Sequence, residues 1–491
     1  MDLKYELLIP EYLLAALAMG VVALDLTVAR LRREYLAYVA ALGLLVILGV
    51  SLGYVNRDES FGQLIRVDNF TTFFRAFFIL TALVLCLISP KYVGARLLHP
   101  GEYYGLIILG TIGAIYMAAA KELLTAYVSL ELLSFSFYVL VSYAKFDPKS
   151  NEGGMKYMLL GAFSSAILLY GLSLIYGATG TTVYADMAAA LTRGVGDRES
   201  AFLVGLVLAT AGLGFKVAAV PFHMWTPDAY EGAPLPVTAY LSATSKAAGF
   251  ALLLRLFAGP FLPMVDDWRW LVAGLSAVTM LLGNLVAIQQ SNIKRLLAYS
   301  SIGQVGYMLI GIAALGTDSA AAQALVLHLS GYVVSNLAVF ACAIYYYNLT
   351  GREDIYEYGG LAERQPFLAL CMTIALFSLA GMPLFAGFAT KFILFQVAAQ
   401  EDFLWLAGIA ALMSFVSLYY YLTIIKQMYL VKPESMARFE LGPVEYGVLA
   451  ALVAGVLFIG LYPQPLFNAV EQSSHVLYLG AQAAVSGGVS P

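Results

Sequence analysis

The sequence predicts an all-α polytopic membrane protein with about fourteen transmembrane helices, in two inverted five-helix repeats whose helices 7 and 12 are broken. Three observations carry this reading. Of 491 residues, 61% are hydrophobic and 12% charged, against about 25% charged in a soluble domain. Mean hydropathy is +0.81. Apolar runs of about 20 residues, the length that crosses a bilayer, recur along the whole chain. They fall near 7–28, 36–54, 71–89, 103–120, 122–143, 155–178, 201–219, 236–257, 269–289, 295–315, 321–347, 366–397, 403–429 and 444–463. The runs are continuous rather than alternating, so they read as helices and not as barrel strands. The first follows no basic stretch or small-residue cleavage site and reads as a retained crossing. The intervals are too short for a soluble catalytic module.

A net charge of -4 excludes a phosphate backbone as partner. Cys86, Cys342 and Cys371 lie far apart without a CxxC, which argues against a disulfide framework, an iron–sulfur site or a zinc site. The four histidines are unpaired in sequence, which argues against a bis-histidine haem. Aromatic residues read as interface belts and helix packing rather than a quinone box.

Cytoplasmic loops carry an excess of Lys and Arg. The odd-numbered connections hold Arg30, Arg32 and Arg33, then Lys91 and Arg96, Lys145 and Lys149, Lys294 and Arg295, and Lys426, Lys432 and Arg438. The alternate connections hold fewer, which predicts an even helix number with both termini on the outer side. Two odd connections dissent: 220–235 holds only acids besides His223, and 351–364 is acidic on balance.

Four charges stand inside otherwise apolar runs: Glu131, Lys216, Lys246 and Lys391. Each costs about 2.5–3.5 kcal/mol at the centre of a membrane helix, so each is kept for function or as a structural ion pair or snorkelling group, and one acid with three lysines in separate central spans favours function. Asp25 and Arg75 lie near the ends of their runs, where snorkelling or a local pair accounts for them. His328, in ALVLHLSGYVVSN, reads either as a relay or as a satisfied core histidine. His223 reads as an exit or packing group.

Pro221 follows Lys216, and Gly381 and Pro383 precede Lys391. Proline interrupts a helix, and broken backbone at membrane depth is tolerated where it is buried in protein or lines a water-filled cavity. The interrupted spans are the seventh and twelfth. An odd separation gives the two halves, spans four to eight and nine to thirteen, opposite topology. The chain thus divides into an N-terminal three-helix segment (1–100), a first half (101–260), a second half (261–432), and a last helix with a C-terminal tail (433–491). The tail reads either as an interfacial helix or as a partner-binding segment.

The run PFHMWTPDAYEGAPLPVTAYLSATSKAAGFALLLR (221–255), with Lys216 before it, resembles the signature of the antiporter-like subunits of respiratory complex I, themselves similar to Mrp-type cation/proton antiporters. NIKRLLAYSSIGQVGYMLIG (292–311) and SLAGMPLFAGFATKFILF (378–395) resemble two further family blocks. SLELLSFSFYVL (129–140) and KYMLLGAFSSAILLYGLSLIYGATGTT (156–182) look most like the N-type branch. The resemblance implies that Glu131 and Lys216 are ion-pair partners, Lys246 a central relay and Lys391 the lysine of the second half. His328, Gln304, Lys156 and Lys294 are further relay candidates. Many relatives have histidine where this chain has Gln304, and glutamine does not pass a proton as imidazole does. Water or His328 would have to substitute.

The resemblance implies a non-redox, proton-translocating subunit of an NADH (or related donor):quinone oxidoreductase. No cofactor is expected in this chain; quinone, flavin and iron–sulfur clusters belong to partner subunits. The expected partners are other membrane subunits, including neighbouring antiporter-like ones, in a bacterial plasma membrane. Physically, burial disfavours a charged lysine and a nearby carboxylate restores it. An opposite charge about 4 Å away is worth about 4 kcal/mol at an effective dielectric near 20, so opening and closing the Glu131–Lys216 pair would switch that lysine between holding and releasing a proton. Two other readings stay open at this point, a subunit of a multisubunit sodium/proton antiporter and a purely structural membrane scaffold.

Overall fold

The computed structural model describes residues 4–28, 33–316, 318–432, 438 and 440–486, with side chains as far as Tyr478. Among these, 13 helices are long and apolar enough to cross a membrane. A fourteenth crossing is made of two half-helices, Pro366–Ala380 and Ala386–Gln400. The single apolar run 366–397 is therefore two rods, because Gly381 (φ 87°) and Leu384 (φ 77°) turn the backbone out of the helical region between them. The seventh crossing is divided likewise. Its long part, Glu199–Val217, ends where Ala218 adopts φ 67°, and a short part, Trp225–Gly232, follows.

Contacts between connections fix which ends share a face. The hairpin Glu59–Phe61/Ile65–Val67, between the second and third crossings, bridges to Ala120, and Glu122 bridges to Val183. Connections 2, 4 and 6 therefore meet on one side, the terminal face. On the opposite face, Lys149 pairs with Glu231 at 3.0 Å, and Lys156 pairs with Asp228 at 2.8 Å and Glu152 at 2.7 Å. Arg295 pairs with Asp228 at 2.9 Å and Glu231 at 3.0 Å, and Lys294 with Glu353 at 3.0 Å. Both dissenting acidic connections are thereby explained. Their carboxylates are partners for cations at the starts of the sixth and tenth crossings, so the face is balanced even where one loop is not. Arg30 and Arg32 lie outside the described residues.

The two halves repeat the same local design from opposite faces. The fifth crossing, Leu123–Val141, starts at the N-cap Glu122, whose side chain accepts from the amides of Leu124 and Thr125. The tenth, Ile293–Ala313, starts at Asn292, which accepts from Lys294 and Arg295. Each cap residue also sits in an isolated bridge. Leu123 N–H donates to Thr182 at 3.0 Å and Tyr184 N–H to Lys121 at 3.1 Å; Ile293 N–H donates to Glu353 at 3.0 Å and Ile355 N–H to Ser291 at 2.8 Å. The partner strands follow the sixth crossing, Pro148–Thr179, and the eleventh, Ala320–Thr350, each closed by a glycine at positive φ, Gly180 and Gly351. Connection 4 lies on the terminal face and connection 9 on the other, so the halves run in opposite senses.

Charges near the ends of the early crossings are anchors. Arg75 is buried and reaches Glu11 at 2.7 Å, a partner the sequence did not suggest, and Asp25 accepts from the amide of Gly101 at 2.9 Å. Asp68 caps the third crossing, Asn69–Ile88, through the Thr71 amide and receives Arg255, from the end of the eighth crossing, at 2.8 and 2.7 Å. This buried pair ties the N-terminal segment to the first half. Removing one partner leaves a buried charge, so Asp68→Ala is expected to cost about 3–5 kcal/mol. It is read as a lower Tm of the purified assembly, with Asp68→Asn, which keeps the cap, less affected; unchanged Tm in both would place the anchor elsewhere. The C-terminal stretch is a helix, Gln464–Ser486, packed on the third and eleventh crossings and on the short helix Tyr184–Arg193.

Candidate functional site

Lys216, Lys246 and Lys391 are all buried, between 1% and 3% exposed. Each ammonium donates to a serine hydroxyl on a neighbouring crossing: Lys216 to Ser134 at 2.9 Å, Lys246 to Ser301 at 2.5 Å and Lys391 to Ser414 at 3.2 Å. In every case the serine proton is already directed elsewhere. Ser134 donates to Leu130 O at 2.7 Å, Ser301 to Ala298 O at 2.7 Å, and Ser414 to Ala380 O at 2.9 Å. The oxygen facing each lysine is therefore an oriented acceptor, which suits the protonated amine.

The helix breaks supply the rest of the polar lining. Backbone groups freed at a break must find partners inside a membrane protein. At the seventh crossing, Trp225 Nε1 donates to Phe215 O at 3.0 Å, and Val220 N–H donates to Thr279 Oγ1 at 3.0 Å. At the twelfth, Leu379 O accepts from Lys391 at 2.9 Å and from Gln304 Nε2 at 3.0 Å, and Gly387 N–H donates to Ser378 Oγ at 3.1 Å. Lys391 thus binds the C-terminal carbonyls of the half-helix that precedes its own, where the helix dipole favours a cation.

These contacts form a line. Ser301 and Gln304 are three residues apart on the tenth crossing and share a face. One holds Lys246; the other shares the Leu379 carbonyl with Lys391. On the first side, Lys216 reaches the eighth crossing at Gly249, one turn from Lys246. A Cβ there would lie 3.6 Å from Lys216 Cγ and 2.6 Å from Val217 Cγ1, so the approach requires glycine. Lys246 Nζ also stands 5.7 Å from the ring centre of Tyr230, and Lys391 Nζ 4.5 Å from that of Tyr307.

Glu131 is half-buried and accepts from Ser165, whose hydroxyl meets Tyr127 OH at 3.0 Å. Among the described residues it makes no ion pair within 4.0 Å. It lies one helical turn from Ser134, the residue to which Lys216 donates, so the resemblance's direct pair with Lys216 is not formed. His328 is buried, with Nδ1 3.0 Å from Thr390 Oγ1, and its Nε2 has no partner among the described residues. Gln304 Oε1 is likewise without one. Lys156 and Lys294 stand apart from this line, in the ion-pair network of the opposite face. The sequence reading missed the three serines and the Leu379 carbonyl; only the spacing of Ser301 and Gln304 on one helical face pointed to any of them.

Pro221 and Pro383 are both exposed at their breaks. Cysteines at Met224 and Leu384, beside them, are expected to react with a small water-soluble thiol reagent in membrane-embedded protein. Cysteines at Phe163 and Phe415, exposed on apolar helix faces, are expected to stay protected. Uniform protection at the two breaks would argue against an aqueous border there.

A chain of fourteen crossings with two broken helices facing buried lysines defines an antiporter-like membrane subunit. A family model described as NADH:quinone oxidoreductase/Mrp antiporter, transmembrane, matches residues 120–417. NADH-quinone oxidoreductase subunit N of Moorella thermoacetica is 44% identical over 485 residues, covering 96% of this chain and 99% of that protein. Among solved structures, a chain of respiratory complex I from Thermus thermophilus aligns with TM-score 0.79 at 30% identity, covering 94% of this chain and 100% of that one. A chain of the membrane-bound sulfane sulfur reductase, an archaeal respiratory membrane complex, aligns with TM-score 0.87 at 27% identity, covering 99% and 100%. The chain belongs to the NADH:quinone oxidoreductase/Mrp antiporter transmembrane family, on the branch of the N-type subunits.

Proposed function

We propose that this chain is a non-redox, proton-translocating subunit of a membrane NADH (or related donor):quinone oxidoreductase, with Lys216, Lys246 and Lys391 as its proton carriers. The observation that carries the reading is the line of buried lysines, each on an oriented serine, running through both halves. A proton held at Lys216 passes by way of water to Lys246 across the one-turn approach at Gly249. It moves on toward Lys391 along the face of the tenth crossing that bears Ser301 and Gln304, with His328 beside Thr390 as a further acceptor. Glu131, half-buried on the outer side of the first half, is where a neighbouring membrane subunit would deliver the driving electrostatic change. Flavin, iron–sulfur clusters and the quinone-reducing chemistry belong to partner chains, and the expected home is a bacterial plasma membrane.

The test is copurification. An affinity-tagged chain extracted in mild detergent is expected to bring down chains carrying flavin and iron–sulfur clusters, with donor-driven quinone reduction. Recovery of a complex that lacks quinone reductase activity and exchanges sodium for protons would replace this reading with a multisubunit antiporter.

A further inference from the structure

A deep apolar slot separates the N-terminal segment from the second half. It has a volume of about 740 Å³ and lies between the second, third, eleventh and fourteenth crossings, with Leu48, Phe73, Phe77, Val333, Leu337 and Leu452 among its walls. On the third crossing the lining runs from Asn69 to Leu87. At 1.5 Å per residue that is about 27 Å, nearly the depth of a bilayer core. Leu52, Leu80 and Phe458 among its walls are 54%, 48% and 50% exposed, so the slot opens to the surrounding bilayer. The medium on that side is hydrocarbon, so the occupant in reach along its whole length is a lipid acyl chain. Water has few polar groups to bind there.

Thr81 and Ser330, midway along the slot, each donate to their own helix backbone at 2.8 Å, and the remaining polar lining is at one end. Asn69, Thr72 and Gln472 gather where it meets the terminal face, beneath the C-terminal helix. Arg57 stands two residues beyond the lining residue Val55, exposed, its guanidinium carbon 4.8 Å from the ring centre of Tyr54. The acids that follow it are engaged, Asp58 by Arg66 at 2.8 Å and Glu59 by Lys4 at 2.5 Å. Among the described residues Arg57 has no carboxylate within 4.0 Å.

We infer that this slot is a binding site for a membrane phospholipid, with an acyl chain inserted along the third crossing and the headgroup phosphate at Arg57. The lipid then wedges the N-terminal three crossings against the back of the eleventh, whose other side carries His328 and Asn336.

The experiment uses the intact assembly in vesicles of phosphatidylethanolamine and phosphatidylglycerol, doped with phosphatidylglycerol bearing a photoreactive acyl chain. Adducts are mapped by mass spectrometry. Adducts on Phe73, Phe77, Val333 and Leu337 are expected to exceed those on Leu412 and Phe415, which face outward on the thirteenth crossing. Ala76→Trp and Ala451→Trp, which fill the slot, should remove the excess while the assembly stays intact. Arg57→Gln should weaken competition by unlabelled phosphatidylglycerol about fivefold, the effect of one interfacial cation. Equal labelling at the slot and the outward-facing residues, an excess that survives the filling variants, or absence of slot labelling because a partner chain covers it, would each overturn the inference.

Discussion

Lys246→Ala and Lys246→Arg are expected to abolish proton pumping alike, each lowering it by about tenfold or more, while the assembly still forms. Lys246 is buried in the eighth crossing, just after the π-helical turn Leu241–Ser245, and its only hydrogen bond among the described residues goes to Ser301. A fixed counter-charge there would have a carboxylate to answer; none lies within ion-pair distance among the described residues. Arginine keeps the positive charge but does not deprotonate in proteins. It therefore separates a residue that must release its proton from one that only needs to be positive. The measurement is donor-driven proton uptake into vesicles containing the fully assembled complex, with quinone turnover recorded in parallel. Wild-type pumping by the arginine variant would falsify the carrier role.

Glu131→Gln and Lys216→Met should each impair pumping, with the double variant within about twofold of the worse single one. The two groups make no ion pair within 4.0 Å; Lys216 donates to Ser134, one helical turn from Glu131 on the fifth crossing. Their coupling is therefore carried by charge across one turn, and loss of either end removes the same switch. Fully additive losses would show that Glu131 serves the neighbouring subunit alone. Ser134→Ala provides the control, because it removes the hydroxyl to which Lys216 donates and leaves both charges in place.

The crossings and their breaks were legible because length and apolarity announce a membrane helix, and proline or glycine beside a buried charge announces an interruption. The run 366–397 read as one interrupted crossing because Gly381 and Pro383 stand before Lys391, and it is one crossing built of two half-helices. The four unpaired charges were legible for the same reason, since nothing nearby in sequence answers them. What answers them was not. Lys216 meets Ser134 82 residues away and Lys246 meets Ser301 55 residues away, and no local pattern encodes such distances. The serines themselves were hidden too. A serine in a membrane helix satisfies itself on its own backbone, as Ser330 and Ser335 do, so its presence carries no signal until a lysine is seen beside it. The acidic connections stood against the topology reading for a related reason: charge was counted loop by loop, whereas the fold neutralises it across loops.

The serine beside each lysine has an implication for reversibility. A carboxylate partner would clamp the proton, because it rewards only the charged amine. A hydroxyl is amphoteric. When the amine loses its proton, the same serine can release its backbone carbonyl, turn about its Cα–Cβ bond and donate to the amine lone pair. Each station is then solvated in both of its states by one rotor, at the cost of exchanging one neutral hydrogen bond for another, about 1 kcal/mol. On the proton path proposed above, such stations would be nearly level and would run with equal ease in either direction. Its direction must then be imposed from outside the three lysines, by the charge at Glu131 and whatever subunit stands against it.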